Sequence, residues 1–572
     1  MHSNASSTDR PRRVVVVGGV AGGMSAAARA RRLDESAEIV VLEQSGYVSF
    51  ANCGLPYHLS GEIERRDALL LHTPESLRAA LALDVRTDSR VTRIDRAARA
   101  VTVETATETY ALEYDALLLA PGAVAVRPPV DGLDHPAVHA LRTIPDLDAL
   151  TARVAALPAD GPRRAVVVGA GFIGLEAVEA LHARRLQVEL VELADHVLPP
   201  LDAELAPLLA DELRAHDVGL HLGVSASAIT DEDGAAVVTL SDGTRLTADV
   251  VVVNVGVRPA SDLARDAGLD LGERGAIRVD ADQRTSDPHI WAVGDAVEVT
   301  HAVTGAVGPV PLAGPANRQG RRAADAMLGR RTTPQASVLG TAIVRVFGLT
   351  AAVTGASQAA LERAGVEHEV VRIHAGHHAG YFPGAEQVHL VASFAPDGRL
   401  LGAQGVGRAG VDKRIDVLAT ALRAGMTADD LAELELSYAP PYGSAKDPVN
   451  MLGFVAQNVL DGTMPQWRAA DLDEVRATSL VLDVRSRSEF ERGHLLEALN
   501  VPHTELRERL DEVRAAADGR PVAVHCASGV RSYIATRVLL AAGLDARNLS
   551  GGWISLTTAR PDLSRTLEGA HA

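Results

Sequence analysis

The stretch RVVVVGGVAGG at residues 13–23 decides the fold of the first part of the chain. It is a β-branched run that ends in a glycine-rich turn and leads into a helical pattern at 24–33. The same arrangement returns at 164–174 as RAVVVGAGFIG, with a helical pattern at 172–185. A buried strand, a glycine turn and a helix are typical of nucleotide-binding domains. The sequence therefore predicts an α/β fold with two doubly wound nucleotide-binding domains.

The first glycine turn predicts a dinucleotide site, because its backbone N–H groups and the following helix N-terminus can hold a pyrophosphate. Its candidate residues are Gly18, Gly19, Val20, Ala21, Gly22 and Gly23. The next strand pattern ends at Glu43, whose carboxylate can accept hydrogen bonds from ribose hydroxyls. Residues 285–295, TSDPHIWAVGD, have the form of a second flavin-contacting segment, whose final aspartate can hold the ribityl chain. We therefore expect FAD, and the further contacts that we predict are Gly122, Gly256, Gly294 and Asp295.

The second glycine turn is a complete G-x-G-x-x-G pattern between a strand and a helix. Its candidate residues are Gly169, Gly171, Phe172, Ile173 and Gly174. The next strand pattern ends at Glu192, where a carboxylate binds the ribose of NADH and repels the 2′-phosphate of NADPH. Residues 193–198 contain no Arg or Lys that would bind this phosphate. The sequence therefore favours NADH, with NADPH as the alternative, and two nucleotide pockets imply hydride transfer from nicotinamide to flavin.

Composition and charge limit the function classes. Acidic residues outnumber basic ones by 74 to 56, which gives a net charge of −18 and argues against a nucleic-acid partner, since basic residues must neutralise the phosphates. No apolar run is long enough to span a membrane, and the N-terminus lacks a signal-peptide pattern, so we expect a cytoplasmic protein. The two cysteines, Cys53 and Cys526, lie far apart, so we expect no structural disulfide. We expect no metal site.

Cys53 lies in the segment SFANCGLPY at 49–57, just after the first nucleotide-binding unit. Its Asn, Gly and Pro neighbours make a buried structural role a poor alternative. No second cysteine stands at C-x-x-C or C-x4-C spacing, so a relay between two cysteines is excluded. A single thiolate that faces a flavin must form a mixed disulfide with a substrate thiol, or a sulfenic acid with oxygen or peroxide.

Residues 13–455 resemble the CoA-disulfide reductase branch of the pyridine-nucleotide disulfide oxidoreductases. The motifs that carry the resemblance are GGVAGG at 18–23, SFANCGLPY at 49–57, YDALLLAPGA at 114–123, GAGFIGLE at 169–176, TSDPHIWAVGDA at 285–296, PLAGPANRQG at 311–320, HAGYFPGA at 378–385 and YAPPYGSAKDPVN at 438–450. Val20 stands where a dinucleotide fingerprint usually has its second glycine. Related NADH peroxidases and oxidases share the single cysteine, but their glycine turn carries a histidine that residues 18–24 lack.

The resemblance implies a homodimer whose partner subunit brings two tyrosines close to the redox cysteine. These tyrosines map to Tyr381 and Tyr438, whose phenols can stabilise a departing thiolate or persulfide. The alternative is that both tyrosines only pack at an interface. The resemblance also implies contacts to coenzyme A, which map to Arg32, Ser49, Asn52 and Lys446. For each of these four residues, an ordinary solvated surface role is the alternative.

Residues 471–560 resemble a single-domain rhodanese. Cys526 begins a CASGVRS loop between a strand pattern and a helix pattern, a geometry that directs several N–H groups at one sulfur and stabilises a persulfide anion. Four residues separate Cys526 from Arg531, which fits one sulfur atom, whereas the related phosphatases need five residues around a phosphate. We therefore predict sulfurtransferase chemistry at Cys526 with Arg531 as a site residue. We expect His494 to be structural.

The predicted domain bounds follow from these patterns and resemblances. Residues 335–455 show strand patterns and a helical stretch near 414–423 without a nucleotide fingerprint, and residues 461–467 form a Gly- and Pro-containing break. The bounds are 11–150 and 256–330 for the FAD-binding domain, 151–255 for the NAD(P)H-binding domain, 331–457 for an α+β dimerisation domain, 458–470 for a linker, and 471–572 for an α/β rhodanese domain.

Together these residues predict a reductase that uses FAD and NAD(P)H. Its expected substrates are CoA persulfide, polysulfide or CoA disulfide, reduced at Cys53, while Cys526 handles sulfane sulfur. Two alternatives remain open at this point. One is an NADH oxidase or peroxidase with a Cys53 sulfenic acid, and the other is a persulfide carrier or redox sensor with negligible flavin turnover.

Overall fold

The computed structural model describes residues 11–158, 160–161, 163–561 and 563. These residues form two compact units. The first contains the described residues up to 193 together with 224–338, and the second contains 194–223 together with the described residues from 339 onward. Within the described residues, no helix combines the length and apolarity needed to cross a lipid bilayer.

The first sheet of the first unit is entirely parallel and positions the first glycine turn. Its strands, in spatial order, are Ile290–Ala292, Ala116–Leu119, Arg13–Val17, Glu38–Leu42 and Asp84–Arg86. The helices around it are Ala21–Leu33, Leu55–Ser60, Pro74–Leu81 and Ala313–Met327, with 3-10 turns at Asn52–Gly54, Arg66–Leu69 and Gly294–Ala296. Val14, Val15 and Val16 in the central strand are fully buried, as expected for a strand covered on both faces.

A second parallel sheet of the first unit positions the second glycine turn. Within this unit its strands, in spatial order, are Gln187–Glu192, Arg164–Val168, Val250–Val253 and Val138–His139. Its helices are Ile144–Ala155 and Phe172–Ala183. The remaining elements of the first unit are the strands Arg90–Asp95, Ala100–Glu104, Thr109–Glu113, Ala123–Ala125, Ala226–Glu232, Ala235–Leu240, Arg245–Ala248, Val257–Pro259, Val299–Thr300 and Val307–Gly308, and the helix Asp262–Asp266.

The second unit begins with an antiparallel sheet. Its strands, in spatial order, are Ala342–Val346, Leu349–Gly355, Leu400–Gly407, Gln387–Phe394 and Glu369–Gly376, so the last of these is an edge strand. The accompanying elements are the helices Ala206–Ala215, Gln358–Arg363, Val411–Ala424, Ala428–Ala432 and Pro448–Leu460, and the strand Gly219–Leu222. Residues 194–223, which we predicted within the NAD(P)H-binding domain, cluster with this unit. The Asp202 backbone N–H, for example, donates to Gln404 Oε1 over 2.6 Å.

The second unit also contains a parallel sheet. Its strands, in spatial order, are Gln466–Trp467, Ala546–Leu549, Val522–His525, Leu480–Asp483 and Leu499–Asn500. Its helices are Leu472–Thr478, Arg487–Glu491, Leu510–Ala517, Val530–Ala541 and Gly552–Ala559, with a 3-10 turn at Ala469–Asp471. The strand Gln466–Trp467 falls inside the predicted linker 458–470, because these residues pair with Asn548 and Leu549. The predicted fold class, with two nucleotide-binding sheets, an α+β region and a final α/β region, is confirmed.

Candidate functional site

The first glycine turn brings a helix N-terminus very close to the central strand. Gly18 has φ +101°, and a Cβ on it would lie 2.1 Å from the Ala120 carbonyl oxygen. A Cβ on Gly23 would lie 1.9 Å from the Gly18 carbonyl oxygen, so only glycine allows this approach. The Gly19 N–H donates to Glu43 Oε2 over 2.8 Å, while Glu43 Oε1 accepts from the N–H and hydroxyl of Ser45. Glu43 thus shapes the turn and keeps lone pairs for a ribose hydroxyl.

The predicted FAD residues of the later segments lie in the same unit. Gly294 has φ +82°, and its N–H donates to Gln319 Oε1 over 2.7 Å. Burial raises the pKa of Asp295, against the opposing effect of Arg142, whose Nη2 lies 3.6 Å from Oδ2. The other two predicted contacts, Gly122 and Gly256, both have positive φ and flank a pair of short antiparallel strands.

The second glycine turn repeats the geometry of the first. The Ala170 N–H donates to Glu192 Oε2 over 2.6 Å, the counterpart of the Gly19–Glu43 bond. A Cβ on Gly174 would lie 1.9 Å from the Gly169 carbonyl oxygen, whereas a Cβ on Gly171 would meet nothing within 4 Å. The helix that follows begins with Phe172 and Ile173. The open space at Gly171 is what a backbone needs in order to approach a pyrophosphate.

Both glycine turns fit the dinucleotides that the sequence predicts. Among the described residues, no side chain caps the helices Ala21–Leu33 and Phe172–Ala183, which start after Val20 and Gly171. Their first-turn N–H groups are therefore left for another acceptor, and the helix dipole favours an anion there. The two carboxylates, Glu43 and Glu192, stand at corresponding positions beside these helix ends.

Cys53 is exposed and lies in the middle of the 3-10 turn Asn52–Gly54, directly before the helix Leu55–Ser60. Tyr57 on that helix donates its hydroxyl proton to Glu176 Oε1 over 3.1 Å. Partial burial raises the pKa of the Cys53 thiol, and the negative charges of Glu176 and Asp295 raise it further. Glu176 was not predicted as a neighbour of this thiol, although it belongs to the GAGFIGLE motif.

Two of the four predicted coenzyme A contacts lie in the segment of Cys53. Asn52 is exposed and is the first residue of the same 3-10 turn, and Ser49 has φ +50° with its N–H donated to the Gly19 carbonyl. Arg32 is exposed near the end of the helix Ala21–Leu33. Lys446 is exposed in the second unit. Of the four predicted contacts, Ser49 and Asn52 therefore lie close to Cys53 in the chain because they belong to the same sequence segment.

The two predicted tyrosines meet each other in the second unit. Their hydroxyl oxygens are 3.0 Å apart, and the side chains are 76% and 48% exposed for Tyr381 and Tyr438. The hydrogen bond to Tyr438 raises the pKa of Tyr381, because it holds the phenol in its protonated form. The two hydroxyl groups are therefore accessible at the surface of this unit and are hydrogen-bonded to each other.

Cys526 is buried, with 1% of its surface exposed, at the end of the strand Val522–His525. The Gly529 N–H and the Ser532 hydroxyl each donate to its Sγ over 3.2 Å. One backbone N–H and one hydroxyl thus replace the several N–H groups that the sequence analysis predicted. The loop is closed by the helix Gly552–Ala559, since the Trp553 N–H donates to the Cys526 carbonyl over 2.7 Å. This cradle can hold a negative charge on one sulfur.

Arg531 lies beside Cys526 but is paired with a carboxylate. Its two Nη atoms each donate to Glu489 over 2.7 Å, and this pair lowers the pKa of Glu489 to about 2. Glu489 was missed in the sequence analysis, although it follows the Asp483-Val484-Arg485 segment by four residues. His494 stacks on Phe490 with 3.7 Å between ring centroids, and a structural role stays the prediction for it.

Comparison with known proteins places these geometries in a family. Residues 12–320 match the family Pyridine nucleotide-disulphide oxidoreductase, and residues 341–447 match the dimerisation domain of the same family. Residues 464–558 match the rhodanese-like domain, which includes the strand Gln466–Trp467.

Relatives support both assignments. The chain is 35% identical over 451 residues to the coenzyme A disulfide reductase of Staphylococcus haemolyticus, which covers 78% of this chain and 100% of that protein. The structure of reduced Bacillus anthracis CoADR-RHD is similar with a TM-score of 0.93 and 43% identity, covering 96% of this chain and 99% of that one. A NAD-dependent persulfide reductase from A. fulgidus is similar with a TM-score of 0.89 and 38% identity, covering 95% and 99%. The chain therefore belongs to the pyridine nucleotide-disulphide oxidoreductases and carries a rhodanese-like domain after the dimerisation domain.

Proposed function

We propose that this protein uses NADH to reduce CoA persulfide, polysulfide or CoA disulfide at Cys53, and that Cys526 accepts and delivers sulfane sulfur. The observation that carries the proposal is the exposed Cys53 thiol in the unit that holds both dinucleotide turns. The only other cysteine of the chain is buried in the rhodanese-like domain, so the partner of Cys53 in a disulfide is an external sulfur. The coenzyme A disulfide reductase and persulfide reductase relatives act on substrates of this chemistry.

The cofactor residues divide between the two turns. FAD, when bound, carries two electrons between nicotinamide and the thiol. Its proposed contacts are Gly18, Gly19, Val20, Ala21, Gly22, Gly23, Glu43, Gly122, Gly256, Gly294 and Asp295. Those of the nicotinamide dinucleotide are Gly169, Gly171, Phe172, Ile173, Gly174 and Glu192. The Glu192 carboxylate favours NADH, because it would repel the 2′-phosphate of NADPH.

Cys53 performs the covalent step. Its thiolate attacks the CoA-bound sulfur of CoA persulfide, the S–S bond of the persulfide breaks, hydrosulfide leaves, and a Cys53–CoA mixed disulfide forms. Two electrons that originate from NADH, together with protons, then restore the Cys53 thiol and release the CoA thiol. CoA disulfide follows the same course, with a CoA thiolate as the first leaving group. Ser49, Asn52, Arg32 and Lys446 are the proposed coenzyme A contacts.

The protein is proposed to act as a homodimer, supported by the match of residues 341–447 to the family's dimerisation domain. Tyr381 of the partner subunit and Tyr438 of the partner subunit would donate protons to the leaving thiolate. The exposure of their paired hydroxyl groups supports this role.

The proposed domain bounds are those predicted from the sequence, except that the rhodanese domain starts before Gln466. The proposed location is the cytoplasm.

Cys526 performs a separate sulfur transfer. Its thiolate attacks the outer sulfur of a donor such as thiosulfate, which releases sulfite and leaves a Cys526 persulfide. A CoA thiolate then attacks the outer sulfur of that persulfide, which regenerates the Cys526 thiolate and forms CoA persulfide. The Gly529 N–H, the Ser532 hydroxyl and Arg531 stabilise the anionic sulfur in this scheme.

Anaerobic NADH oxidation with CoA persulfide, compared with CoA disulfide, tests the proposal. We expect Cys53-dependent turnover with one hydrosulfide released per NADH from the persulfide, and a loss of at least about 1,000-fold in Cys53→Ser. The variant should still bind FAD, and its sulfur transfer at Cys526 serves as the internal control. Unchanged reductase activity in Cys53→Ser would overturn the mechanism. Rapid NADH-dependent consumption of oxygen or peroxide, without turnover of either CoA substrate, would instead establish the oxidase or peroxidase alternative.

A further inference from the structure

The edge strand Glu369–Gly376 of the dimerisation domain carries two polar side chains that contact the rhodanese domain. Arg372 and His374 are two residues apart, so they lie on the same face of this strand. Arg372 Nη1 donates to Ser550 Oγ over 3.2 Å, and His374 Nε2 lies 2.8 Å from Ser555 Oγ. Both serines are buried. The contacts therefore join the two domains through desolvated hydrogen bonds, which are more specific than exposed ones.

Arg372 is fixed from the opposite side by groups outside the rhodanese domain. Its Nε donates to Glu204, and its Nη2 donates to Gln358 Oε1 over 3.3 Å. Gln358 in turn donates to Asp202 Oδ2 over 2.9 Å and to Glu204 Oε1 over 2.7 Å. These contacts therefore fix the position of the guanidinium that donates to Ser550.

His374 is fixed in the same way. Its Nδ1 lies 2.7 Å from Nδ1 of His389, the residue opposite it on the neighbouring strand. Burial lowers the pKa of His374 to about 3 and that of His389 to about 4, so both rings are neutral at neutral pH. A neutral imidazole has one donor and one acceptor nitrogen. His374 can therefore satisfy His389 and Ser555 at the same time.

The rhodanese residues that receive these contacts sit directly behind the Cys526 loop. Gly551 and Gly552 both have positive φ, +72° and +65°. A Cβ on Gly551 would lie 2.0 Å from Ser555 Oγ and 3.1 Å from His374 Nε2. A Cβ on Gly552 would lie 2.7 Å from the Cys526 carbonyl oxygen. A side chain at Gly551 would therefore collide with Ser555 and crowd His374 of the dimerisation domain, and a side chain at Gly552 would collide with the sulfur loop.

The helix Gly552–Ala559 completes the connection. The N–H groups of Trp553 and Ile554 in its first turn donate to the carbonyls of Cys526 and Ala527 over 2.7 and 3.0 Å. Ser555, one residue further, is the contact of His374. A shift of this helix therefore moves the backbone of the loop whose Gly529 N–H is directed at Cys526 Sγ.

We propose that Arg372 and His374 of the dimerisation domain are positioning residues for sulfur transfer at Cys526. They hold the Ser550–Gly552 turn and the helix after it, and these hold the loop around the sulfur. The inference rests on the proposed role of Cys526. Its consequence is that the sulfurtransferase site is built from two domains, although the Gly529 N–H and the Ser532 hydroxyl that donate to the sulfur belong to one.

The test is a double-mutant cycle in the full-length protein with His374→Ala, Ser555→Ala and the double variant. We expect kcat for sulfur transfer from thiosulfate to fall about five- to tenfold in each single variant, with KM changed less than about twofold. The double variant should be no slower than either single variant, because both remove the same contact. Reduction of CoA disulfide at Cys53 should stay within about twofold of wild type.

His374→Gln and His368→Ala are the matched controls. Glutamine can place an amide near the position of Nε2, so it should restore transfer. His368, a histidine of the same domain whose Nδ1 contacts the Val366 carbonyl, should be replaceable without effect.

Normal transfer in His374→Ala and Ser555→Ala, additive losses in the cycle, or a loss that glutamine does not restore would each overturn the inference. If His374→Ala fails to fold, Ser555→Ala alone decides between normal and reduced transfer. A wild type without Cys526-dependent transfer would instead refute the proposed role of Cys526, and the inference with it.

Discussion

The two cysteines of this chain occupy opposite environments. Cys53 is exposed, and partial burial together with the negative charges of Glu176 and Asp295 opposes its ionisation. Cys526 is 1% exposed and receives a backbone N–H and a hydroxyl at 3.2 Å, with the guanidinium of Arg531 nearby. The first environment disfavours a sulfur anion, whereas the second supplies two hydrogen-bond donors to its sulfur.

This difference indicates how each site is completed. The chain itself supplies the groups that stabilise sulfur at Cys526, so that site is ready before a substrate arrives. In the proposed function, the stabilising groups at Cys53 come from elsewhere, from the bound dinucleotide and from a second subunit. Changes to the cofactor turns should therefore act mainly on reduction at Cys53, and changes to the sulfur cradle should act mainly on transfer at Cys526.

Replacing Cys526 by serine should have the largest selective effect. Sulfur transfer from thiosulfate should fall at least about 1,000-fold, because the nucleophile is lost. NADH-dependent reduction of CoA disulfide should be unchanged, and reduction of free CoA persulfide should slow only in part. Stopped-flow measurement of NADH oxidation with each substrate gives the comparison. Complete loss of persulfide reduction would show that sulfur must pass through Cys526, and the two sites would then not be independent.

Two of the three glycines of the second turn, Gly171 and Gly174, offer a matched pair of smaller changes. Gly171→Ala adds a methyl group where nothing lies within 4 Å, so the fold should be kept while KM for NADH rises about tenfold or more. Gly174→Ala places Cβ 1.9 Å from the Gly169 carbonyl, so the variant should lose about 1–3 kcal/mol of folding stability. Steady-state kinetics and thermal unfolding separate the two effects. Sulfur transfer at Cys526 should remain normal in Gly171→Ala, and a parallel loss there would contradict the separation of the sites.

The smallest change concerns the charge beside Cys53. Glu176→Gln removes a negative charge but keeps an acceptor for the Tyr57 hydroxyl, so the pKa of Cys53 should fall. A lower pKa means more thiolate at neutral pH, so alkylation by iodoacetamide should be up to severalfold faster. The rate is measured against pH in a Cys526→Ser background. Glu179→Gln, one turn along the same helix, is the control, and equal acceleration in both variants would rule out a local effect of Glu176.

The features that the sequence predicted correctly are local ones. Each glycine turn is specified within about ten residues, because a strand, a positive-φ glycine and a helix start must follow one another directly. The exposure of Cys53 follows in the same way from its Asn, Gly and Pro neighbours. Hydrogen-bond donors directed at the Cys526 sulfur were predicted, but the Ser532 hydroxyl takes the place of further backbone N–H groups.

The contacts that could not be predicted join distant parts of the chain. Tyr57 and Glu176 are 119 residues apart, and His374 and Ser555 are 181 apart. No periodicity or motif in one segment specifies a polar partner in another, because these pairs depend on how separate sheets pack. The placement of residues 194–223 with the second unit has the same origin, since Asp202 reaches Gln358 and Gln404 through tertiary contacts alone.

The paired glycines at 551 and 552 have a consequence for protein engineering. Because a side chain at Gly551 would collide with Ser555 and crowd His374, and one at Gly552 would collide with the Cys526 loop, the junction between the two domains depends on residues far from the connecting peptide. A foreign rhodanese grafted at residue 464 would arrive without the serines that Arg372 and His374 require. A working chimera must carry those two hydroxyl groups and the two glycines between them, so an arbitrary rhodanese domain cannot replace this one.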